Sequence, residues 1–219
     1  NFLKQKGKKI AFVPTMGNLH AGHKSLFKKY KDHIYLASIF VNPLQFNDIN
    51  DFENYPRTIE TDTKVLDKQN VDILYLPCDD FLNYRTKYKI GKISKKLCGK
   101  DRKGHFEGMA VVIINFLRLI KPDFILLGEK DYQQALIIKK IIKDFKFKTQ
   151  VKLFPTVRDK NGVALSSRNQ LLKEKIFIAC HLPDVLKQII REIKKGNFDL
   201  LRINHFKKLL KKKGVEKVF

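Results

Sequence analysis

Short apolar runs alternate with longer amphipathic segments along most of this chain, and that alternation permits few folds. Apolar runs of strand length separated by helix-length patterns are the signature of a parallel sheet with crossover helices. Lys9–Pro14 reads as a first strand, followed by a helix through Leu26 and Tyr30. Ile34–Val41 is apolar almost throughout, as a strand buried on both faces should be. Thr58–Gln69 reads as helix, Val71–Leu76 as strand, Lys92–Cys98 as a short helix and Glu107–Ile120 as a long apolar helix. Phe124–Leu127, Tyr132–Phe145 and Gln150–Phe154 continue as strand, helix, strand, and from about Leu171 onward the chain is helical and Lys-rich. The expected fold class is α/β: a Rossmann-like, doubly wound parallel sheet over residues 1–170, with a small helical unit over 171–219.

Length and composition agree with this reading. With 219 residues, 43% hydrophobic and 31% charged, the chain has material for one α/β core plus a small second unit. The longest wholly apolar run, Ala110–Ile114, is far too short to span a bilayer, and no secretory signal is visible. Cys78, Cys98 and Cys180 are odd in number and widely spaced, which fits reduced thiols and a cytoplasmic location. Lys+Arg outnumber Asp+Glu 45 to 22, a net charge of +23. Two readings stand: attraction of polyanions such as ATP or nucleic acid, or compositional drift in a chain rich in Lys, Ile, Asn and Phe. The absence of a nucleic-acid-binding motif favours no nucleic-acid partner.

Polar clusters follow the ends of four strands: Pro14–Gly17, Asn42–Phe46, Gly128–Asp131 and Thr156–Arg158. In open α/β sheets ligands bind outside the carboxyl ends of the strands, so four distant segments point to one crevice. Met16-Gly17-Asn18-Leu19-His20-Ala21-Gly22-His23 joins a strand to a helix. Its glycines and first helical N–H groups suit a phosphate, and histidines three apart share one face. A metal pair or plain structural histidines are the alternatives. Gly128-Glu129-Lys130-Asp131-Tyr132-Gln133-Gln134 repeats the strand–turn–helix arrangement, with Lys130 able to meet phosphate and Asp131 able to cap the helix. Leu165-Ser166-Ser167-Arg168-Asn169 sets two hydroxyls beside a guanidinium, suited to phosphoryl oxygens or to an ordinary capped helix start. No G-x-S-x-G elbow supports a serine nucleophile.

Together these stretches resemble the pantoate–β-alanine ligase family of the H-x-G-H nucleotidyltransferases. The resemblance runs from about Ala11 to Asn169, through Pro14–His23, Ser38–Phe46, Tyr55-Pro56-Arg57-Thr58, Arg102–Phe106, Gly128–Gln134 and Pro155–Asn169. It implies a ligase that uses ATP and Mg2+ to convert pantoate to pantoyl adenylate. β-Alanine then displaces AMP to give pantothenate. It implies that Met16 through His23, Gly128, Glu129, Lys130, Asp131, Val157, Leu165, Ser166, Ser167 and Arg168 bind ATP. His23 would be proton donor, with His20, Lys130 and Arg168 the other catalytic groups. Gln45, Gln134, Asn42 and Arg102 would contact the other substrates, and Asp62 is the nearest match to a metal ligand.

The resemblance also implies a homodimer, and leaves the family's first strand and C-terminal lid only partly represented. Leu44 and Leu165 stand where the family often has Met, Thr61 where it has an acid, and Lys103 where it has Pro. The alternative is another H-x-G-H nucleotidyltransferase with a different acid or a phosphorylated substrate. A Lys-Met-Ser-Lys-Ser-like loop, usual in tRNA synthetases, is missing.

Overall fold

The stretch Lys9–Thr15 (β1) becomes the central strand because both of its faces are apolar. Ile10, Ala11, Phe12 and Val13 are each 0% exposed. Successive strand side chains point to opposite faces, so Ile10 and Phe12 enter one core cluster and Ala11 and Val13 another. Complete burial of such a side chain stabilises by roughly 1.5–3 kcal/mol. The computed structural model describes residues 7–27, 32–83, 88–197 and 199–215.

Among the described residues β1 lies between β2 (His33–Ile39) and β4 (Phe124–Gly128), with β3 (Ile73–Tyr75) beyond β2 and β5 (Gln150–Phe154) beyond β4. All four pairings are parallel, with β1 in register from Lys9↔His33 to Thr15↔Ile39. The chain steps outward from β1 through β2 to β3, then returns to the other side of β1. The reversal places the switch point of the sheet between the carboxyl ends of β1 and β4.

Between the strands run α1 (Ala21–Lys24), α2 (Ile49–Glu53), α3 (Ile59–Asp67), α4 (Cys98–Asp101), α5 (His105–Ile120) and α6 (Tyr132–Asp144). Helices α5 and α6 cover one face, with Phe116, Leu117, Ile137, Ile138 and Ile141 packed on Ile10, Phe12 and Ile125. Leu26, Phe27 and the α3 residue Leu66 cover the other, against Ala11, Val13, Ala37 and Leu126. The Rossmann-like α/β reading is therefore correct.

Local expectations differ at three points. The first helix is a single α turn followed by a 3-10 turn, Ser25–Phe27, and Tyr30 lies outside the described residues. Helix α5 starts at His105, two residues before the expected Glu107, because Gly104 takes the left-handed conformation (φ 81°) that ends the preceding loop. The Lys92–Cys98 segment is a 3-10 turn, Lys92–Lys95, leading into α4.

The chain divides into two compact units, Asn1–Thr156 and Val157–Phe219, so the division falls before residue 170. The reason is local. Segment 157–165 bonds to itself: Leu165 N–H donates to Val157 O (3.0 Å), Asp159 and Val163 pair, and Arg158 bridges Ala164. The second unit continues through α7 (Ile176–Ala179), α8 (His181–Lys194) and α9 (Leu200–Lys212). Val185, Phe206 and Leu210 form its small core. No helix among the described residues is long and apolar enough to cross a membrane.

Candidate active site

At the end of β1 the Thr15 hydroxyl donates to Ser38 O (2.7 Å) and accepts from the N–H of Gly17 (3.2 Å). Gly17 and Asn18 then take positive φ, 84° and 49°, which turns the chain sharply into α1. The turn closes on a capping box made of two imidazoles. His20 Nδ1 accepts from Gly22 N–H (3.1 Å) and His23 Nδ1 accepts from His20 N–H (3.2 Å). The ring centroids are 4.1 Å apart, with the planes tilted by 37°. A Cβ on Gly22 would sit 2.9 Å from His20 Nδ1, so glycine lets the ring fold back onto its own turn.

An Nδ1 that accepts carries no hydrogen, so each neutral ring holds its proton on Nε2. Burial, then His20, then Lys130 drive the His23 pKa down to about 3. Burial and Lys130 lower that of His20, against a smaller opposing effect of Asp131. Both imidazoles are thus neutral hydrogen-bond donors at physiological pH. Lys130, from the 3-10 turn Glu129–Asp131 after β4, lies near enough to act on both imidazoles, and Asp131 near enough to act on His20. The switch point of the sheet therefore gathers four expected groups, His20, His23, Lys130 and Asp131. Asp131 stands at the N-cap position of α6, but its side chain makes no cap hydrogen bond.

Several backbone N–H groups of the loop, those of Gly17, Asn18, Leu19, His20 and Gly22, are already engaged within the protein. Asn18 and Leu19 donate to the two carboxylate oxygens of Asp62, at 2.9 and 2.8 Å. Asp62 is 1% exposed and also accepts from the Thr58 hydroxyl (3.0 Å). A carboxylate so enclosed does not fit a magnesium ligand, and no metal-holding group of three acidic, His or Cys side chains occurs among the described residues. The preceding Arg57 donates to the carbonyls of Phe52, Glu53 and Tyr55, so Tyr-Pro-Arg-Thr sets the approach to α3.

A second cluster surrounds Gln45, in the 3-10 turn Pro43–Gln45 after β2. Its amide nitrogen meets Met16 Sδ (2.7 Å), linking this turn to the H-x-G-H loop. Asn42, expected to touch substrate, is 1% exposed and stands behind Gln45. Its amide donates to Gln45 Oε1 and Gly108 O, both at 3.1 Å, and accepts from Leu44 N–H (3.1 Å). A Cβ on Gly108 would lie 2.0 Å from Leu44 O, so only glycine lets α5 approach this closely. His105, at the start of α5 and buried, holds Gln45 O through Nδ1 (2.7 Å). Its spacing of three from Gly108 was the available signal.

Gln134 is half-buried in the first turn of α6. Its neighbour Gln133 clamps the segment before α4, donating to Ile93 O and Lys96 O and accepting from Cys98 N–H. Arg102 closes α4, and its carbonyl accepts from His105 N–H (3.2 Å). Asn47 also donates to Lys103 O.

Val157, Leu165, Ser166, Ser167 and Arg168 belong to the second unit. There Ser166 Oγ accepts from Arg168 N–H (3.3 Å), and Asn169 donates to Ala164 O (3.2 Å) and, through N–H, to Ser166 O (3.0 Å). This is a tight turn rather than a serine-capped helix, since the 3-10 segment Asn169–Lys175 has no side-chain cap.

A family model described as Pantoate-beta-alanine ligase matches residues 1–218. The pantothenate synthetase of Buchnera aphidicola subsp. Acyrthosiphon pisum (strain Tuc7) is 43% identical over 224 residues, covering 97% of this chain and 78% of that protein. The pantoate-beta-alanine ligase from Francisella tularensis, solved in complex with beta-gamma ATP and beta-alanine, superposes with TM-score 0.78 at 42% identity. The match covers 83% of this chain and 72% of that one. Pantothenate synthetase from Thermus thermophilus superposes with TM-score 0.87 at 34% identity over 95% of this chain and 78% of its own. By sequence and by fold, the chain belongs to the pantoate–β-alanine ligase family.

Proposed function

We propose that this chain joins pantoate to β-alanine in an ATP-dependent reaction with a pantoyl-adenylate intermediate. A pantoate carboxylate oxygen attacks the α-phosphorus of ATP, breaking its bond to pyrophosphate. The amine of β-alanine then attacks the acyl carbon, AMP leaves with the carboxyl oxygen, and the amine's proton passes to solvent. No enzyme nucleophile is needed; positioning and charge stabilisation carry the chemistry. Magnesium enters as part of the nucleotide substrate.

The observation that carries this reading is the neutral, Nε2-protonated histidine pair beside Lys130 at the switch point of the sheet. Two imidazole N–H donors and an ammonium suit the charge that builds on the phosphates as the α-phosphorus becomes five-coordinate. Ser166, Ser167 and Arg168 are proposed as phosphate ligands of the second unit, and Gln45 and Gln134 as pantoate ligands. Arg102 is assigned to the incoming amine substrate. The family's homodimer and a cytoplasmic setting belong to the same proposal; Cys78, Cys98 and Cys180 as free thiols suit that setting.

The test is AMP formation from ATP with pantoate and β-alanine supplied together and each omitted in turn. His23→Ala should cut pantoate-dependent pyrophosphate release by ~10²–10³ while the chain stays folded. Undiminished turnover would remove His23 from the mechanism, and AMP formation indifferent to pantoate would remove the substrate assignment.

A further inference from the structure

Two consecutive N–H groups aimed at one point form a seat for an anion. In this loop the seat at Asn18 and Leu19 is already filled from within, by a carboxylate 44 and 43 residues away in sequence. Asp62 lies in the first turn of α3, where the helix dipole favours negative charge, and its own N–H donates to Thr58 O (2.8 Å). Each oxygen takes one loop N–H, and Oδ2 also takes the Thr58 hydroxyl. Gly17, at φ 84°, passes so close that a Cβ would stand 3.0 Å from Oδ2. The residue directly after this pair is His20, whose N–H and ring close the two-imidazole cap.

We propose that Asp62 is a positioning residue for the nucleotide reaction. Its buried carboxylate occupies the anion seat of the loop, locks Gly17 and Asn18 in left-handed conformation and thereby aims the His20 and His23 rings. ATP is consequently met by imidazole and ammonium side chains, and the Asn18 and Leu19 N–H groups take no part in holding it. The inference rests on the ligase reading for the identity of the nucleotide, though the filled seat itself does not.

The test uses the full chain and Asp62→Asn. An amide presents one oxygen and one NH2 group, so its two ends cannot each accept from a loop N–H. The expected result is a fall of roughly ten- to a hundredfold in kcat for pantoate-dependent pyrophosphate exchange. The KM for pantoate and the Mg2+ concentration for half-maximal rate should stay close to wild type, while the thermal midpoint falls modestly as one loop N–H loses its acceptor. A wild-type kcat overturns the proposal. So does a defect cured by raised Mg2+, since that would make Asp62 a metal ligand.

Should Asp62→Asn fail to fold, amide hydrogen exchange on the unaltered chain decides. The Asn18 and Leu19 amides should be protected before ATP is added and unchanged after it. Protection that appears only with ATP refutes the filled seat. Loss of the ligase reading shows separately, as a wild-type chain that makes no AMP while these two amides remain protected.

Discussion

His105 donates from Nδ1 to the main-chain oxygen of Gln45 over 2.7 Å, across 60 positions of sequence. A carbonyl only accepts, so the bond fixes the His105 tautomer as well as the Gln45 backbone. Asn42 holds the side-chain oxygen of the same glutamine at 3.1 Å. One residue is thus gripped at both ends. Removing the backbone grip in His105→Ala should raise the KM for pantoate about tenfold with little change in kcat. His105→Asn should recover part of the loss. Steady-state rates at varied pantoate measure both, and an unchanged KM would detach His105 from substrate binding.

Gly108→Ala should destabilise the chain by roughly 1–3 kcal/mol or more, because a methyl group there meets backbone rather than a mobile side chain. The contact would be Leu44 O at 2.0 Å, so α5 must withdraw from the Pro43–Gln45 turn. A urea midpoint equal to wild type would show that the helix has room to give.

Stability should fall with acid, and His23 should be a main cause. Its pKa in the folded chain is about 3 against an ordinary 6.5. Between these values the unfolded chain binds a proton that the folded chain refuses. The contribution is therefore complete above pH 6.5 and is lost as pH falls towards 3, with a slope of up to ~1.4 kcal/mol per pH unit. His20 acts in the same direction. Urea midpoints from about pH 7.5 to about pH 4 should drop faster for wild type than for His23→Gln, and parallel curves would contradict the assignment.

Gln133→Leu keeps the side chain's bulk and removes three hydrogen bonds to segment 93–98. Trypsin should then cut faster after Lys95, Lys96, Lys100 and Arg102, with pantoate-dependent pyrophosphate exchange near wild type. Equal digestion rates would mean that the segment is held by other contacts, such as Ser94 Oγ to Glu107 (2.8 Å).

The sheet is legible in the sequence because β1, β2 and β4 write their burial into nearly continuous apolar runs, and the loops after them mark the ligand edge. What escapes is decided by partners far apart in sequence. Asp62 reads as a metal ligand only through the family resemblance, as the nearest match to an acidic position after Tyr-Pro-Arg-Thr. Only the fold reveals that its oxygens face Asn18 and Leu19. Asn42 reads as a substrate contact, yet α5 covers it through Gly108. The start of the first helix escapes because two histidines close the turn where Ser or Asp usually would, a cap that local propensity does not score. Motif order alone puts Arg168 in the sheet domain, whereas the self-bonded 157–165 segment carries it into the second unit.

The fold of His20's ring over Gly22 separates two things that mutational surveys usually confound. A methyl group at position 22 would push against a ring rather than backbone, so the molecule would keep its shape and lose only the cap's share of stability, about 0.5–2 kcal/mol. The displaced imidazole would lose its tether and face a new direction. Screens that score only soluble expression would pass such a variant, and the catalytic defect would surface only when turnover is measured.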